Sequence, residues 1–221
     1  MVNVLLNYYN FDGEWARPKL ESYLKNRKVL IIPLAFRECQ AWDLNSWQAI
    51  YGKGGEKYDN IVRPFLAYGY AEKDLAWLNC YDDSDRLKQI RDADLLFFTG
   101  GMPEKAIDRM SSLGITHAVK NFNGIVMGAS AGAMLQLETY HITPDEDYAE
   151  YGIWQGLGLV KGIDLEVHYL ATGIQNECSA RANKELKLPV YRMWHEGGII
   201  YDNGKLTLMG NVQCVNDCKK R

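Results

Sequence analysis

The sequence has no apolar run long enough to cross a bilayer. The longest clear one, Val29 to Phe36, is interrupted by Pro33, whereas a spanning helix needs about 20 consecutive apolar residues. Positive charge is not in excess either: 25 Lys and Arg stand against 28 Asp and Glu, a formal net charge of −3. Nucleic-acid binders carry a basic stripe or a high pI, so neither nucleic acid nor membrane is an expected partner. The opening residues, Met1-Val2-Asn3-Val4-Leu5-Leu6-Asn7, lack a basic segment and a small-residue cleavage site, so no secretory leader is expected. Cysteine is sparse and odd in number. Cys39, Cys80, Cys178, Cys214 and Cys218 are widely spaced and read as free thiols in a reducing cytoplasm. Cys214 and Cys218 have only His195 nearby, too few ligands for a tetrahedral zinc site. They read as two thiols in a C-terminal tail, and no metal is expected.

What is present is ordinary globular composition, 47% apolar and 24% charged in 221 residues. That supplies enough apolar surface to offset chain entropy. With no repeat, low-complexity tract or linker, residues 1–221 are expected to form one domain.

Val2–Asn7 and Lys28–Pro33 have the Val, Ile and Leu content of strands, and Ala76–Cys80 reads as a weaker one. Asp85–Ala93 reads as a short amphipathic helix capped by Ser84. Leu95–Thr99 and Ile125–Met127 are continuous apolar runs, as expected for strands buried on both faces. Gly100-Gly101 follows the first, and Pro103 then suits the first turn of a helix. Thr139 to Gln155 is polar and reads as a long loop of the kind that is more often functional than idle. Ile163–Val167 reads as a strand ending at His168, and Cys178–Leu186 as a helix. Val190–Met193, Ile199–Tyr201 and Leu206–Met209 read as short strands, the last two joined by the hairpin signal Asp202-Asn203-Gly204. Strands alternating with helices imply an α/β fold, a mainly parallel sheet with helices on both faces.

The strongest local signal is Gly128-Ala129-Ser130-Ala131-Gly132, a G-x-S-x-G elbow after an apolar strand and before a helix-like segment. A serine on such a turn needs small neighbours, because its backbone is strained. Its hydroxyl then stands above the carboxyl end of the sheet, where a following helix favours developing negative charge. Acyl transfer also needs two donors for the tetrahedral oxyanion. The Ala131 N–H is one candidate. Gly101 is the other, since glycine lets a backbone approach substrate closely.

An activated serine needs a base within hydrogen-bond reach. Of four histidines, His117 lies before the elbow, His141 in the polar segment and His195 between Trp194 and Glu196. His168, at a strand end on the same edge of the sheet, is the expected base. A third group should orient its imidazole. Glu196, read as following a late strand, and Asp145, beside Glu146 and Asp147 in what reads as a solvated and mobile loop, are both candidates. Glu166, two residues from His168 along a strand, is poorly placed to reach the ring.

Together these segments resemble the peptidase S51 family, the dipeptidase E and cyanophycinase group. The resemblance is carried by Gly100-Gly101, Gly128 to Ala133, and Gly156-Leu157-Gly158-Leu159-Val160 leading to Ile163–His168, over roughly positions 95 to 200. It implies a flavodoxin-like or class I glutamine-amidotransferase-like fold, with Ser130 as nucleophile and His168 as base. The cyanophycinase-like pattern points to Glu196 as the acid and the dipeptidase E pattern to Asp145; Glu196 is the expected one. The implied activity is a serine peptidase acting on small peptides, without a cofactor. Other amide or ester hydrolysis, or binding without turnover, are the alternatives. Dipeptidase E-like members prefer an N-terminal Asp, which calls for a cationic pocket; Arg181, Lys184 and Arg192 are within the resembling region.

Overall fold

The computed structural model describes residues 1–216, so Cys218 lies outside the described residues. The first half of the chain comprises β1 (Val2–Leu6), α1 (Arg17–Leu24), β2 (Val29–Ile32), α2 (Leu44–Tyr51), α3 (Tyr58–Ala67), β3 (Leu75–Trp77), α4 (Arg86–Asp92) and β4 (Leu95–Phe98). Next come α5 (Pro103–Ser112), α6 (Thr116–Lys120), β5 (Ile125–Ala129) and the single turn α7 (Ala131–Met134). The chain continues through β6 (Thr139–Ile142), β7 (Gly152–Gln155), β8 (Asp164–Glu166), α8 (Gly173–Leu186), β9 (Val190–Asp202) and β10 (Lys205–Val215).

The main sheet runs β10-β9-β1-β5-β4-β2-β3. The five strands from β1 to β3 in that order are mutually parallel. β9 and β10 extend the sheet antiparallel beyond β1, and β8 pairs parallel with the start of β9. Side chains alternate along each strand, and both faces are covered. Val4, Leu6, Ile31, Phe97 and Met127 pack under α1, α2 and α3 through Leu20, Trp47, Ile61 and Phe65. Leu30, Ile32, Leu96, Phe98 and Val126 pack under α4, α5 and α6 through Ile90, Met110 and Val119. A parallel sheet buried on both sides needs strands apolar at every position, and this is why β2 and β4 are buried throughout. The α/β architecture expected from the alternation is the one found.

Several local expectations are corrected. The segment Thr139–Gln155 is not a loop: β6 and β7 pair as an antiparallel hairpin, with only the residues between them irregular. Its polarity is misleading because His141, buried in β6, is bonded at both ring nitrogens by Asp164 and Glu166 of β8. Val190–Met193 and Ile199–Tyr201 are parts of one strand, β9, which bridges the exposed His195-Glu196 pair. β10 pairs with both parts, and the register shift between Gly210 and Val212 leaves Trp194, His195 and Glu196 unpaired between them, so pairing on either side holds the two parts as one strand. Cys214 lies in β10 rather than in a tail. The weak strand is Leu75–Trp77, and α4 is capped by Asp85, whose side chain accepts the Lys88 N–H at 2.9 Å, rather than by Ser84. The Asn203-Gly204 turn has both residues at positive φ, as a two-residue hairpin of this type requires.

Candidate active site

Three neighbouring strands deliver their carboxyl ends to one place. β4 leads into Gly100-Gly101, β5 into Ser130, and β1, between β5 and β9, into Asn7. Open α/β sheets hold their ligands at this edge.

Ser130 has φ +54° and ψ −119°. A non-glycine residue there stores strain, of order 1–3 kcal/mol, and the surroundings hold it. Its N–H donates to Leu6 O at 2.9 Å, and its carbonyl accepts the Ala133 and Met134 N–H groups. Small residues are needed beside it. A Cβ on Gly132 would stand 2.2 Å from Phe98 O, so the elbow sits directly on the end of β4. The helix that follows is only four residues long, so little macrodipole is aimed at the serine and any oxyanion must be met by individual N–H groups.

His168 lies two residues beyond β8, with φ +53°. Its Nε2 is 2.7 Å from Ser130 Oγ, so the hydroxyl can donate to the ring when the imidazole proton is on Nδ1. Tyr8 packs against the ring at a centroid distance of 4.4 Å. Burial pushes the His168 pKa below the ordinary histidine value; Asp145 works against that shift and His195 with it. His168 Nδ1 is buried and has no hydrogen-bond partner among the described residues.

The two expected acids are placed differently. Glu196 does not close a strand: it lies inside β9, exposed, and makes no hydrogen bond to His168. Asp145 lines the same cavity as Ser130 and His168, and it is the carboxylate whose charge acts on that imidazole. Its loop is anchored, not free. Asp145 Oδ1 accepts the Asp147 and Tyr148 N–H groups at 2.8 and 3.0 Å, Tyr148 OH donates to Glu104 at 2.7 Å, and Asp147 pairs with Arg37. Asp145 itself is exposed, as expected.

Gly101 has φ +135°, and a Cβ there would fall 2.0 Å from Ala35 O, so the position admits only glycine. The Gly100 N–H donates to Tyr9 OH at 2.6 Å. The N–H groups of Gly101 and Ala131 have no partner among the described residues.

The cavity is about 540 Å³, and its walls include Gly101, Ser130, Asp145, Glu146, Asp147, Glu166 and His168 but no Lys or Arg. Arg181 is paired with Glu185, Arg192 is bound to Ser179 and Asn176 O, and Lys184 is exposed on α8; none lines it. A larger cavity of about 980 Å³ sits around Asn26–Val29, at the amino end of β2, away from Ser130.

One constellation had no clear sequence signal. His141 Nδ1 lies 2.6 Å from Asp164 Oδ2, and His141 Nε2 lies 2.8 Å from Glu166 Oε2, which also accepts Thr143 OH at 2.6 Å. All three ionisable groups are buried. Burial is the largest influence on His141 and pushes its pKa down. The Asp164 charge and the bonds to both carboxylates outweigh it and raise the value to about 10. The network ties β6, which leads to Asp145, to β8, which leads to His168. Alternation within Asp164-Leu165-Glu166 was the only hint of two carboxylates sharing a face. Among the described residues no group of His, Cys, Asp and Glu is arranged to hold a metal ion, and no helix is long and apolar enough to cross a membrane.

No known family profile and no curated protein matches the sequence. Solved structures do match the fold. A Listeria monocytogenes EGD-e protein provisionally described as peptidase E superposes with a TM-score of 0.64 at 15% identity, over 94% of this chain and 96% of its own. A peptidase from an acI-B1 Actinobacterium superposes with a TM-score of 0.59 at 17% identity, over 97% and 93%. The chain therefore has, over nearly its whole length, the fold shared by these two proteins.

Proposed function

We propose that the chain is a serine-type peptidase that cleaves small peptides through an acyl-enzyme on Ser130. The observation that carries this reading is the 2.7 Å contact between Ser130 Oγ and His168 Nε2 at the carboxyl edge of the sheet. A serine hydroxyl is a weak nucleophile until a neighbouring base takes its proton. His168, kept neutral at lower pH by burial, accepts that proton as Ser130 Oγ attacks the carbonyl carbon. The oxyanion of the tetrahedral intermediate is met by the free N–H groups of Gly101 and Ala131. His168 then returns the proton to the departing amine, and water, activated by the same ring, releases the acid. No step calls for a cofactor.

Asp145 is the better-supported acid, because it lines the cavity and its charge reaches His168. Its second oxygen, Oδ2, makes none of the loop bonds that hold Oδ1 and in this reading is the acceptor for the His168 Nδ1 proton. Four carboxylates line the site with His141 and no Lys or Arg; Glu166 is bonded to His141 and Asp147 pairs with Arg37, whereas Asp145 and Glu146 form no ion pair among the described residues. An acidic side chain beside the scissile bond would meet the charges of Asp145 and Glu146, so neutral or basic peptides fit better than aspartyl ones. The four described cysteines are free, which supports a reducing compartment such as the cytoplasm.

The experiment is fluorophosphonate labelling of the purified protein together with hydrolysis of aspartyl, alanyl and lysyl dipeptides, longer peptides and p-nitrophenyl esters. Labelling at Ser130 with peptide cleavage is expected. Failure to label and to cleave any member would refute the catalytic reading, and cleavage of esters alone would move the activity away from peptides.

A further inference from the structure

We infer that Asn7 is a positioning residue: its side chain sets the His168 backbone, and through it the imidazole, at the distance from Ser130 that proton transfer needs. The inference rests on the reading of His168 as the base.

Asn7 directly follows β1 and is fully buried, an expensive place for a carboxamide unless both its polar atoms are bonded. Both are. Its backbone N–H donates to Gly197 O at 3.0 Å. Its Nδ2 donates to Trp194 O at 2.7 Å, and its Oδ1 accepts the His168 N–H at 2.6 Å. Only this orientation of the amide faces a donor to a carbonyl and an acceptor to an N–H. The preceding residue, Leu6, accepts the Ser130 N–H at 2.9 Å. Leu6, the last residue of β1, and Asn7, directly after it, thus hold the backbones of the nucleophile and of the base. On the other side of His168, Gln175 Nε2 donates to His168 O at 2.9 Å while Gln175 Oε1 accepts the Leu170 N–H at 2.8 Å. His168 adopts a left-handed backbone, which a non-glycine residue rarely holds unaided, and its N–H and C=O are each clamped by a side-chain amide. The clamp matters because His168 Nδ1 has no partner among the described residues. Nothing bonded to the far nitrogen orients the ring, so the backbone and the packing of Tyr8 do.

The groups facing the imidazole are Tyr8 after β1, Ser130 after β5, His195 of β9 and Asp145 of the loop after β6. Release of the clamp lets the ring move toward solvent. The burial that lowers its pKa is then relieved, and the acid limb of reactivity moves to higher pH.

The test is the rate of fluorophosphonate labelling against pH for the full chain, Asn7→Ser, Gln175→Met and His168→Ala, with circular dichroism confirming the folded state. A displacement of about 1 Å can cost ~10²-fold in rate. Asn7→Ser is expected to label ~10- to 100-fold more slowly at neutral pH, with its acid limb shifted upward. A merely structural role would lower thermal stability and leave the limb in place. Parent-like rate and limb in folded Asn7→Ser would overturn the inference. If that variant does not fold, Gln175→Met decides by the same two readouts. Undiminished labelling of His168→Ala would instead overturn the reading of the base, and the inference with it.

Discussion

Ser130 Oγ and His168 Nε2 stand 2.7 Å apart, and both residues are held at positive φ, +54° and +53°. Two non-glycine residues in rare backbone conformations, facing one another across a cavity, fit strain retained for a site rather than for packing.

Ser130→Ala is expected to keep the fold and abolish hydrolysis. The change removes one oxygen at a half-buried position and leaves φ and packing as they are. Loss of a nucleophile of this kind costs several powers of ten in kcat. Kinetics on the best substrate of the panel, with matched circular dichroism, checks it; turnover near the parent's contradicts it.

His168→Ala should be as damaging as Ser130→Ala, and the double variant hardly worse than either. Groups acting as one unit are non-additive. A double-mutant cycle on one substrate is the measurement. Multiplicative losses would mean that the 2.7 Å contact does no catalytic work.

Asp145→Asn is expected to lower kcat by about 10²-fold or more, because an amide can favour the wrong imidazole tautomer. Glu196→Gln should stay within about threefold, since an exposed side chain inside β9 that does not bond the ring resembles an ordinary surface site. The reverse pattern would return the acid's role to Glu196.

Aspartyl dipeptides should be cleaved at least ~10-fold more slowly than alanyl or lysyl ones, because juxtaposed like charges are costly and no Lys or Arg lines the cavity. Initial rates at one subsaturating concentration give the ratio. Preference for the aspartyl substrate would show that a cation, His141 of the wall or one from beyond it, meets the substrate carboxylate.

The His141 network makes stability depend on pH in a defined direction. The folded pKa, about 10, lies above the ordinary value of 6.5, so the folded state binds the extra proton between them. Its contribution is complete below about pH 6.5 and is lost as pH rises through about 10. Urea unfolding across this window should show stability falling, and NMR should find the His141 ring still protonated at pH 8. A ring that titrates near 6.5 would contradict the network's charge.

Much of the framework was legible in the residues themselves. Val29–Ile32 and Leu95–Phe98 are apolar at every position, which only a sheet covered on both faces can use. The elbow was legible because a strained serine demands small neighbours, and Gly132 against Phe98 O leaves room for nothing larger. Asn203-Gly204 announced its hairpin by the positive φ it must adopt. These are local requirements of backbone and side-chain volume, carried within a few residues of chain. What tertiary structure alone decided were matters of distance between remote segments. His141 reads as a surface histidine until Asp164 and Glu166 are brought to it from another strand. Glu196 reads as a strand end until β10, paired on either side of it, makes the two flanking segments one strand. Asn7, unremarkable after an apolar run, joins Trp194 and His168 only because β1 lies between β5 and β9. Polar chemistry inside a protein depends on which groups meet at about 3 Å, and no periodicity along the chain encodes that.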